Sequence, residues 1–372
     1  MPLKTFPHRP ELEGLRAVAI LAVLAHHSLN RFAPGGFLGV DVFFVLSGYL
    51  ITGILQAELG RTGDVSLRYF YLRRLLRLGP SLVLVVGVYL AVASVLPRID
   101  EVRSRGTAAA LVLGYLANWV TAFGHFPLGA LEHAWSLANE EQFYLLWPPL
   151  LWGLARAGLS RRAQVSLVLG MASASTVWRL LLQAHGASAE RVYYGFDTRL
   201  EGLLFGCALA LVGTATLSAR GTQAMRWVGH LGGVALVGVF LRGNPRSDFM
   251  RGPGFGLVSL AAAAFLGGLL NASETSPLRR LLSTRGMRYV GRISYALYLW
   301  HQPVNFVVRA YPGLSSAVAL GLRGGGALAL AALTHALLEV PLERFRRGLR
   351  PPPSAQREVA STLTAMASPP SS

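Results

Sequence analysis

Long apolar runs separated by short arginine-rich segments make up most of this chain. A helix needs about 20 mostly apolar residues to cross a bilayer, within a range of about 17 to 25. About ten runs approach that length, so the pattern predicts an all-α polytopic integral membrane protein. The predicted spans are residues 15–32, 37–58, 76–96, 140–154, 165–182, 200–217, 227–241, 254–270, 289–310 and 315–338.

An eleventh run at 107–123 is weaker, and the distribution of charge decides how to place it. Basic loops stay on the cytoplasmic side of a membrane. With the N-terminus inside, all the basic loops face the cytoplasm only if 107–123 does not cross. The sequence therefore predicts about ten transmembrane helices, one re-entrant or interfacial helix, and both termini in the cytoplasm. These loops are 68–77, 156–162, 279–288 and 344–350.

Composition supports a multi-pass protein of the plasma membrane. Hydrophobic residues make up 52% of the chain and charged residues 14%, too apolar a balance for a soluble domain. The net charge of +17 is almost all arginine, and no run interleaves basic and aromatic residues, so we expect no nucleic-acid partner. The single cysteine, Cys207, excludes an intramolecular disulfide and a cysteine metal site.

One transmembrane domain is predicted over residues 1–350, followed by a disordered cytoplasmic tail at 351–372 that is rich in Pro, Ser and Ala. The first apolar run resembles a signal peptide in length. However, Glu11 and Glu13 precede it and a second run follows directly, so we expect it to be retained as a span.

Arg16 and His27 are the first candidates for chemistry, because ionisable residues at membrane depth are costly and are usually functional. Eleven residues separate them, which places them on one helix face about 16 Å apart. Arg16 is a candidate anion contact, and His27 is a candidate general base. The alternative is a snorkelling arginine and a histidine that only packs.

Asp41 begins the second span and should lie at the depth of His27. It either orients the imidazole, as the acid of a catalytic triad does, or caps its own helix. Small residues around it are predicted to serve close helix packing. These residues are Gly35, Gly36, Gly39, Ser47 and Gly48.

Three arginines, Arg73, Arg74 and Arg77, lie near the predicted cytoplasmic end of the third span. Arg73 and Arg77 are four residues apart and share a helix face, which suits capture of phosphate groups. The alternative is that these residues only orient the helix in the membrane.

Polar residues also mark the later spans. Trp135 and Glu140 lie at the start of the fourth span, where Glu140 either faces a cavity or belongs to a helix cap. Asp197 and Arg199 begin the sixth span and either form an internal ion pair or bind an acceptor.

His301 lies mid-span just before Pro303, and Glu339 follows His335 by one helical turn near the cytoplasmic end of the last span. We predict substrate contacts at Trp135, Asp197, Arg199, His301 and Glu339. No metal-ligand motif or phosphate-binding loop is found in the sequence.

Taken in order, these segments resemble the integral-membrane acyltransferase family 3, bacterial O-acyltransferases that modify surface polysaccharides, lipid-linked sugars and some macrolides. The resemblance covers residues 12–347. Its segments are Arg16 with His27, then GGFLGVDVFFVLSGYLIT, RRLLRLGP, HAWSLANEEQFYLLWP, DTRLEGLLFG and GRISYALYLWHQP.

The resemblance implies transfer of an acyl group, commonly acetyl, from acyl-CoA as co-substrate to a hydroxyl group. It assigns family positions to Arg16, His27, Glu140 and Glu339, and a basic motif to Arg73, Arg74 and Arg77. We expect the arginines to hold coenzyme A, and His27, steadied by Asp41 or Glu140, to deprotonate the acceptor. The sequence leaves two alternatives, a secondary transporter or flippase and a non-enzymatic scaffold.

Overall fold

The computed structural model describes residues 9–29, 33–96, 104–213, 217–245 and 247–348, and every regular element in those ranges is helical. The predicted disordered tail, 351–372, lies outside the described residues. The helices are α1 (Pro10–Ser28), α2 (Gly39–Thr62), α3 (Leu67–Val95), α4 (Arg105–Leu113), α5 (Ala117–Ala122), α6 (Trp135–Arg156), α7 (Arg161–Ala184), α8 (Ala189–Tyr194), α9 (Phe196–Val212), α10 (Ala219–Arg242), α11 (Phe255–Leu270), α12 (Pro277–Leu282), α13 (Arg285–Arg292), α14 (Ser294–Arg309), α15 (Ser316–Gly321), α16 (Ala327–Thr334) and α17 (Val340–Gly348).

Shorter helical turns join several of these elements. Two 3-10 turns, Gly36–Leu38 and Gly129–Ala134, lead into α2 and α6. Three π turns continue neighbouring helices, and such turns are rare and often mark functional sites. They are Met250–Gly254, Leu322–Gly326 and His335–Glu339.

In the part of the chain that the structure describes, six continuous helical segments are long and apolar enough to cross a membrane, judged by length and composition. The all-α prediction is confirmed for the described residues, whereas the count of about ten spans is not. Predicted spans outside this set are also helical, as α1, α6, α9 and α13–α14, but they are shorter or more polar. The six are Gly36–Thr62, Leu67–Val95, Arg161–Ala184, Ala219–Arg242, Met250–Leu270 and Ser316–Arg346.

Burial separates central helices from peripheral ones. The apolar window of Gly36–Thr62 is 78% buried, whereas that of Ala219–Arg242 is 17% buried. Helix α2 is therefore central, packed against α1, α6, α9 and α11, while α10 presents most of its surface outward. Because neighbouring protein surrounds a central helix, it tolerates the polar residues that an outer helix excludes.

The weak apolar run at 107–123 is broken in two. Helices α4 and α5 share it, and Tyr115 between them has a φ of 55°, in the left-handed region. Helix α4 has 9 residues and is about 14 Å long, too short to cross a bilayer. The Gln142 side chain of α6 donates to the Tyr115 carbonyl oxygen, which ties the break to the start of α6.

Helices α2 and α9 approach closely through two glycines. A Cβ atom on Gly48 would lie 1.9 Å from the Leu203 carbonyl oxygen, and one on Gly206 would lie 2.0 Å from the Val45 carbonyl oxygen. Because lipid gives helices no hydrophobic reason to associate, such backbone contact is a main source of packing energy. The predicted packing role is confirmed for Gly48 and, by the same test, for Gly35, Gly36 and Gly39.

We expect Gly48→Ala to lower the thermal unfolding temperature of the detergent-solubilised protein, because the added methyl group forces α2 and α9 apart. Overpacking of this kind costs about 1–3 kcal/mol. The control is Gly60→Ala in the same helix, where a Cβ atom has no atom within 4 Å. That variant should be neutral or slightly stabilising. Equal unfolding temperatures for the two variants would contradict the glycine contact.

The basic helix ends meet at one end of the bundle. Arg156 at the end of α6 pairs with Asp64 after α2, at 3.1 Å. Arg161 of α7 donates to the Leu211 carbonyl oxygen of α9, and Arg9 donates to the Leu270 carbonyl oxygen of α11. We call this the basic end, and the opposite end, where α1 finishes at Ser28 and α6 begins at Trp135, the distal end.

Candidate functional site

His27 lines a cavity of about 490 Å³ at the distal end, which we call the histidine cavity. Its Nδ1 lies 2.9 Å from the Val23 carbonyl oxygen. A carbonyl oxygen only accepts, so Nδ1 carries the proton and the neutral ring leaves Nε2 as an acceptor. This tautomer is the one that a general base needs. Other wall residues include Val40, Glu132, Trp135, Tyr298, Gln302 and Arg309.

Arg16 and His27 both face α14. The guanidinium group of Arg16 donates to Ser294 Oγ at 3.2 and 3.0 Å, and the His27 ring centroid lies 5.0 Å from that of His301. The two residues therefore share a helix face, as their spacing predicts.

A second cavity, the arginine cavity, lies deeper in the bundle and measures about 170 Å³. Arg16 and Glu140 both line it. The Glu140 carboxylate accepts hydrogen bonds from Ser47 at 3.1 Å and Tyr144 at 2.9 Å, and the guanidinium carbon of Arg74 lies 3.5 Å from the Tyr144 ring centroid. Ser47 thus serves a polar contact in addition to its predicted packing role.

Helix α3 presents Arg74 and Arg77 to the arginine cavity, and not the predicted pair Arg73 and Arg77. Arg73 instead lies over the Tyr69 ring, with its guanidinium carbon 4.9 Å from the centroid. The reason is the rotation of the helix: Leu72 and Leu75 are exposed toward the surroundings, which turns Arg74 and Arg77 inward.

Asp41 pairs with Arg199 and not with His27. Both Asp41 carboxylate oxygens accept from Arg199 Nη2, at 2.9 and 3.0 Å, and each side chain is 2% exposed. The Nδ1 atom of His27 is held by its own helix through Val23. The prediction that Asp41 or Glu140 steadies His27 therefore does not match the contacts in the structure.

The charged residues at the start of α9 form ion pairs with neighbouring elements. Asp197 pairs with Arg191 of α8, and Glu201 pairs with Arg179 of α7. Of the two alternatives for this segment, the contacts match the internal ion pair. Among the described residues, Asp197 and Arg199 are not part of the histidine or arginine cavity walls.

The other predicted substrate contacts are divided between the two ends. Trp135 lines the histidine cavity, whereas His301 is 2% exposed and lies behind that wall. Glu339 lies at the basic end, where it contacts His335 Nδ1 at 2.8 Å and accepts from Ser81 at 3.1 Å.

A large opening at the basic end, the basic vestibule, measures about 880 Å³ and shares Arg16, Arg77 and Tyr295 with the arginine cavity. Six arginines and three glutamates line it, which gives it a net positive charge suited to phosphate groups. The sequence alone does not show that these arginines line one space, because they come from four separate segments of the chain. They are Arg9, Arg16, Arg77, Arg288, Arg292 and Arg346.

The three spaces follow one another along α1, α2 and α14. The basic vestibule adjoins the arginine cavity, and the arginine cavity and histidine cavity share Val40 and Tyr298 as wall residues. A bound molecule at the basic end and another at the distal end would thus meet at this wall. Within the described ranges, no three histidine, cysteine, aspartate or glutamate side chains are arranged so that together they could hold a metal ion.

Comparison with known proteins adds a second line of observation. The profile of an acyltransferase domain family matches residues 9–334. Peptidoglycan O-acetyltransferase OatA of Listeria monocytogenes is 37% identical over 308 residues, 79% of this chain and 49% of that protein. O-acetyltransferase OatA of Staphylococcus aureus is 33% identical over 317 residues, 81% of this chain and 51% of that protein. The chain thus spans about half the length of these relatives. No solved structure gives a significant match.

Proposed function

Because the chain belongs to the integral-membrane acyltransferase family 3, we propose that it transfers an acyl group, commonly acetyl, from acyl-CoA at the basic end to a hydroxyl group at the distal end. The observation that carries this proposal is the alignment of a phosphate-suited vestibule with a cavity that holds a histidine in the tautomer of a base. In this proposal the basic end is cytoplasmic, as are both termini.

Coenzyme A enters the basic vestibule in this proposal. Its phosphates bind arginines that include Arg77 and Arg292, because guanidinium groups bind phosphates through paired hydrogen bonds. The pantetheine arm continues through the arginine cavity past Arg16. From Arg16 to His27 the helix rises about 16 Å, so an extended arm brings the thioester to the wall formed by Val40 and Tyr298.

His27 removes the proton from the acceptor hydroxyl group in the proposed reaction. The oxygen then attacks the thioester carbonyl carbon, the C–S bond breaks, and the thiolate takes up the proton from His27. The products are the acyl ester and free coenzyme A. We propose direct transfer in preference to an acyl-histidine relay, with the hydroxyl oxygen and the thioester carbonyl carbon meeting where the two cavities share Val40 and Tyr298.

A glycan hydroxyl is the acceptor that we propose, as an extension from the two relatives named for O-acetylation. The histidine cavity suits a sugar, because Trp135 offers an aromatic face. Its other wall residues include polar groups, namely Glu132, Gln302 and Arg309. A transporter or flippase is not favoured, since the matching family and both relatives are acyltransferases.

The test uses the full chain reconstituted in lipid nanodiscs with acetyl-CoA and a soluble N-acetylglucosamine oligomer. A thiol reagent measures release of coenzyme A with little background, because the single cysteine, Cys207, is buried. Mass spectrometry of the oligomer measures the added acetyl group. We expect both products in equal amounts. Binding of acetyl-CoA with no release of coenzyme A, with the oligomer or with a panel of other hydroxyl acceptors, would contradict the proposal.

Arg77→Gln should raise the KM for acetyl-CoA about tenfold or more, because the variant loses a charged hydrogen bond worth about 1.5–3 kcal/mol. Arg73→Gln is the matched control on the same helix turn, since Arg73 lies over Tyr69 and lines neither the arginine cavity nor the basic vestibule. Its KM should stay within about twofold of wild type. Equal KM values for the two variants would contradict the placement of coenzyme A.

A further inference from the structure

Four histidines lie in a continuous row beside the proposed reaction site. Ring centroids are 5.1 Å apart for His26 and His27, 5.0 Å for His27 and His301, and 5.1 Å for His301 and His133. These residues come from α1, the 3-10 turn before α6, and α14. Only His27 has a role in the proposed mechanism, so the purpose of the buried ring next to it is open.

His301 has an unused acceptor. Its Nδ1 donates to the Tyr298 carbonyl oxygen, so in the neutral ring Nε2 bears a lone pair. The residue is 2% exposed, and no described residue supplies a hydrogen-bond partner for Nε2. A buried acceptor with no donor is unfavourable and uncommon in folded proteins, which makes it a feature to explain.

The neighbouring rings limit which donor can reach this atom. The His133 ring, on the side of His301 away from His27, is held by the backbone. Its Nδ1 lies 3.1 Å from the Ala130 carbonyl oxygen, and its Nε2 lies 3.2 Å from the Leu299 carbonyl oxygen. It therefore directs its N–H toward the backbone. The Nδ1 atom of His27 is held by the Val23 carbonyl oxygen, so Nε2 is the nitrogen left to bond outside its own helix, and the His27 ring centroid lies 5.0 Å from that of His301 on α14.

We propose that His301 is a positioning residue for His27, whose Nε2 accepts a hydrogen bond from His27 Nε2–H once His27 holds the acceptor's proton. This inference rests on the proposed function. In the resting state both Nε2 atoms are acceptors and do not bond to each other. During transfer His27 gains a proton, and the hydrogen bond then forms only in the charged state. Interactions that appear only as charge develops are those that increase a reaction rate.

The proton balance is simple. The acceptor O–H bond breaks and the proton moves to His27 Nε2, where His301 stabilises it while the new ester bond forms. The proton then passes to the departing thiolate, which gives free coenzyme A and restores both neutral rings. No oxidant, metal or additional reactant is needed.

A first test asks whether the two Nε2 atoms converge, and it requires no turnover. Zn²⁺ serves as a probe because imidazole lone pairs bind it readily. The protein, without a histidine tag, is titrated with Zn²⁺ beside His301→Asn, His27→Asn and His335→Asn. We expect the first two variants to lose the same site, with at least tenfold weaker binding, while His335→Asn retains it. Wild-type Zn²⁺ binding in His301→Asn would overturn the proposal.

A second test measures release of coenzyme A by His301→Asn and His301→Gln. Asparagine retains a donor toward the Tyr298 carbonyl oxygen but has no atom at the Nε2 position, whereas glutamine places an amide oxygen there. We expect His301→Asn to lower kcat about 10- to 100-fold with an unchanged KM for acetyl-CoA, and His301→Gln to recover most of that loss. Equal kcat values for both variants would overturn the proposal, because a purely structural role does not distinguish them.

The two tests separate the inference from the proposed function. Loss of the shared Zn²⁺ site together with no turnover by wild type would refute the acyltransferase proposal and still support the pairing of the rings. Normal turnover with an intact Zn²⁺ site in His301→Asn would refute the pairing alone.

Discussion

His27→Ala is expected to lower the rate of acetyl transfer about 10²- to 10⁴-fold, the usual contribution of a general base. The variant removes an imidazole of α1 that lines the histidine cavity, contacts His301 of α14, and has Nδ1 bonded to the Val23 carbonyl oxygen, which leaves Nε2 as the acceptor. Coenzyme A binding should persist, because the basic vestibule and the arginine cavity do not include His27. The rate of acetyl transfer is measured as release of coenzyme A, and the affinity as equilibrium binding of acetyl-CoA, both in nanodiscs.

The control for this variant is His230→Ala on α10. His230 contacts the exposed Trp227 ring and lies outside the cavities along α1, α2 and α14. It should keep the wild-type rate. A His27→Ala variant that turns over at the rate of His230→Ala would show that the base lies elsewhere and that the site is assigned incorrectly.

Asp41→Leu should destabilise the protein by about 3–5 kcal/mol, because it leaves Arg199 as a buried charge without its carboxylate. Both side chains are 2% exposed, so water does not replace the lost partner. The double variant Asp41→Leu with Arg199→Met should recover much of this loss, since replacing a whole buried ion pair by apolar residues is often neutral. Thermal unfolding in detergent, followed by tryptophan fluorescence, measures each variant.

The same variants separate structure from chemistry at Asp41. If Asp41 acted on His27 directly, the double variant would regain stability but not the rate of acetyl transfer. We expect it to regain both, because the carboxylate bonds to Arg199 and the imidazole is held by Val23. Failure of the double variant to regain stability would contradict the account of this pair.

The helices themselves could be predicted closely from the sequence. The run at 165–182, for example, lies inside α7 (Arg161–Ala184), and the run at 254–270 matches α11 (Phe255–Leu270) to within one residue. Membrane helices are marked by length and apolarity, which a single sequence displays directly. The break at Tyr115 was harder to locate, because it depends on contacts with α6 that no local pattern contains.

The direction that each side chain faces could be predicted less well. In water, the apolar face of a helix marks the protein interior. In lipid, the outer face is apolar too, so the exposed Leu72 and Leu75 do not stand out from buried leucines in the sequence. For this reason the spacing favoured Arg73 and Arg77, whereas the structure turns Arg74 and Arg77 inward.

Contacts between distant segments were beyond sequence reasoning. Each of His27, His133 and His301 lies more than a hundred residues from the next along the chain. Only the packing of α1, the 3-10 turn before α6 and α14 brings them together. Asp41 and Arg199 are 158 residues apart. The sequence marks both Asp41 and Arg199 as candidate site residues, but a single sequence does not show which acidic residue pairs with which basic one.

The wall shared by Val40 and Tyr298 has a consequence for the cell that carries this protein. A protein that carried the intact acyl-coenzyme A across the membrane would need a passage wide enough for a nucleotide. Ions would leak through such a passage. Two cavities that meet at Val40 and Tyr298 need to exchange only an acyl group in the proposed reaction. In the proposed reaction, the coenzyme therefore stays inside the cell, and the electrical insulation of the bilayer and the ion gradients that depend on it are preserved.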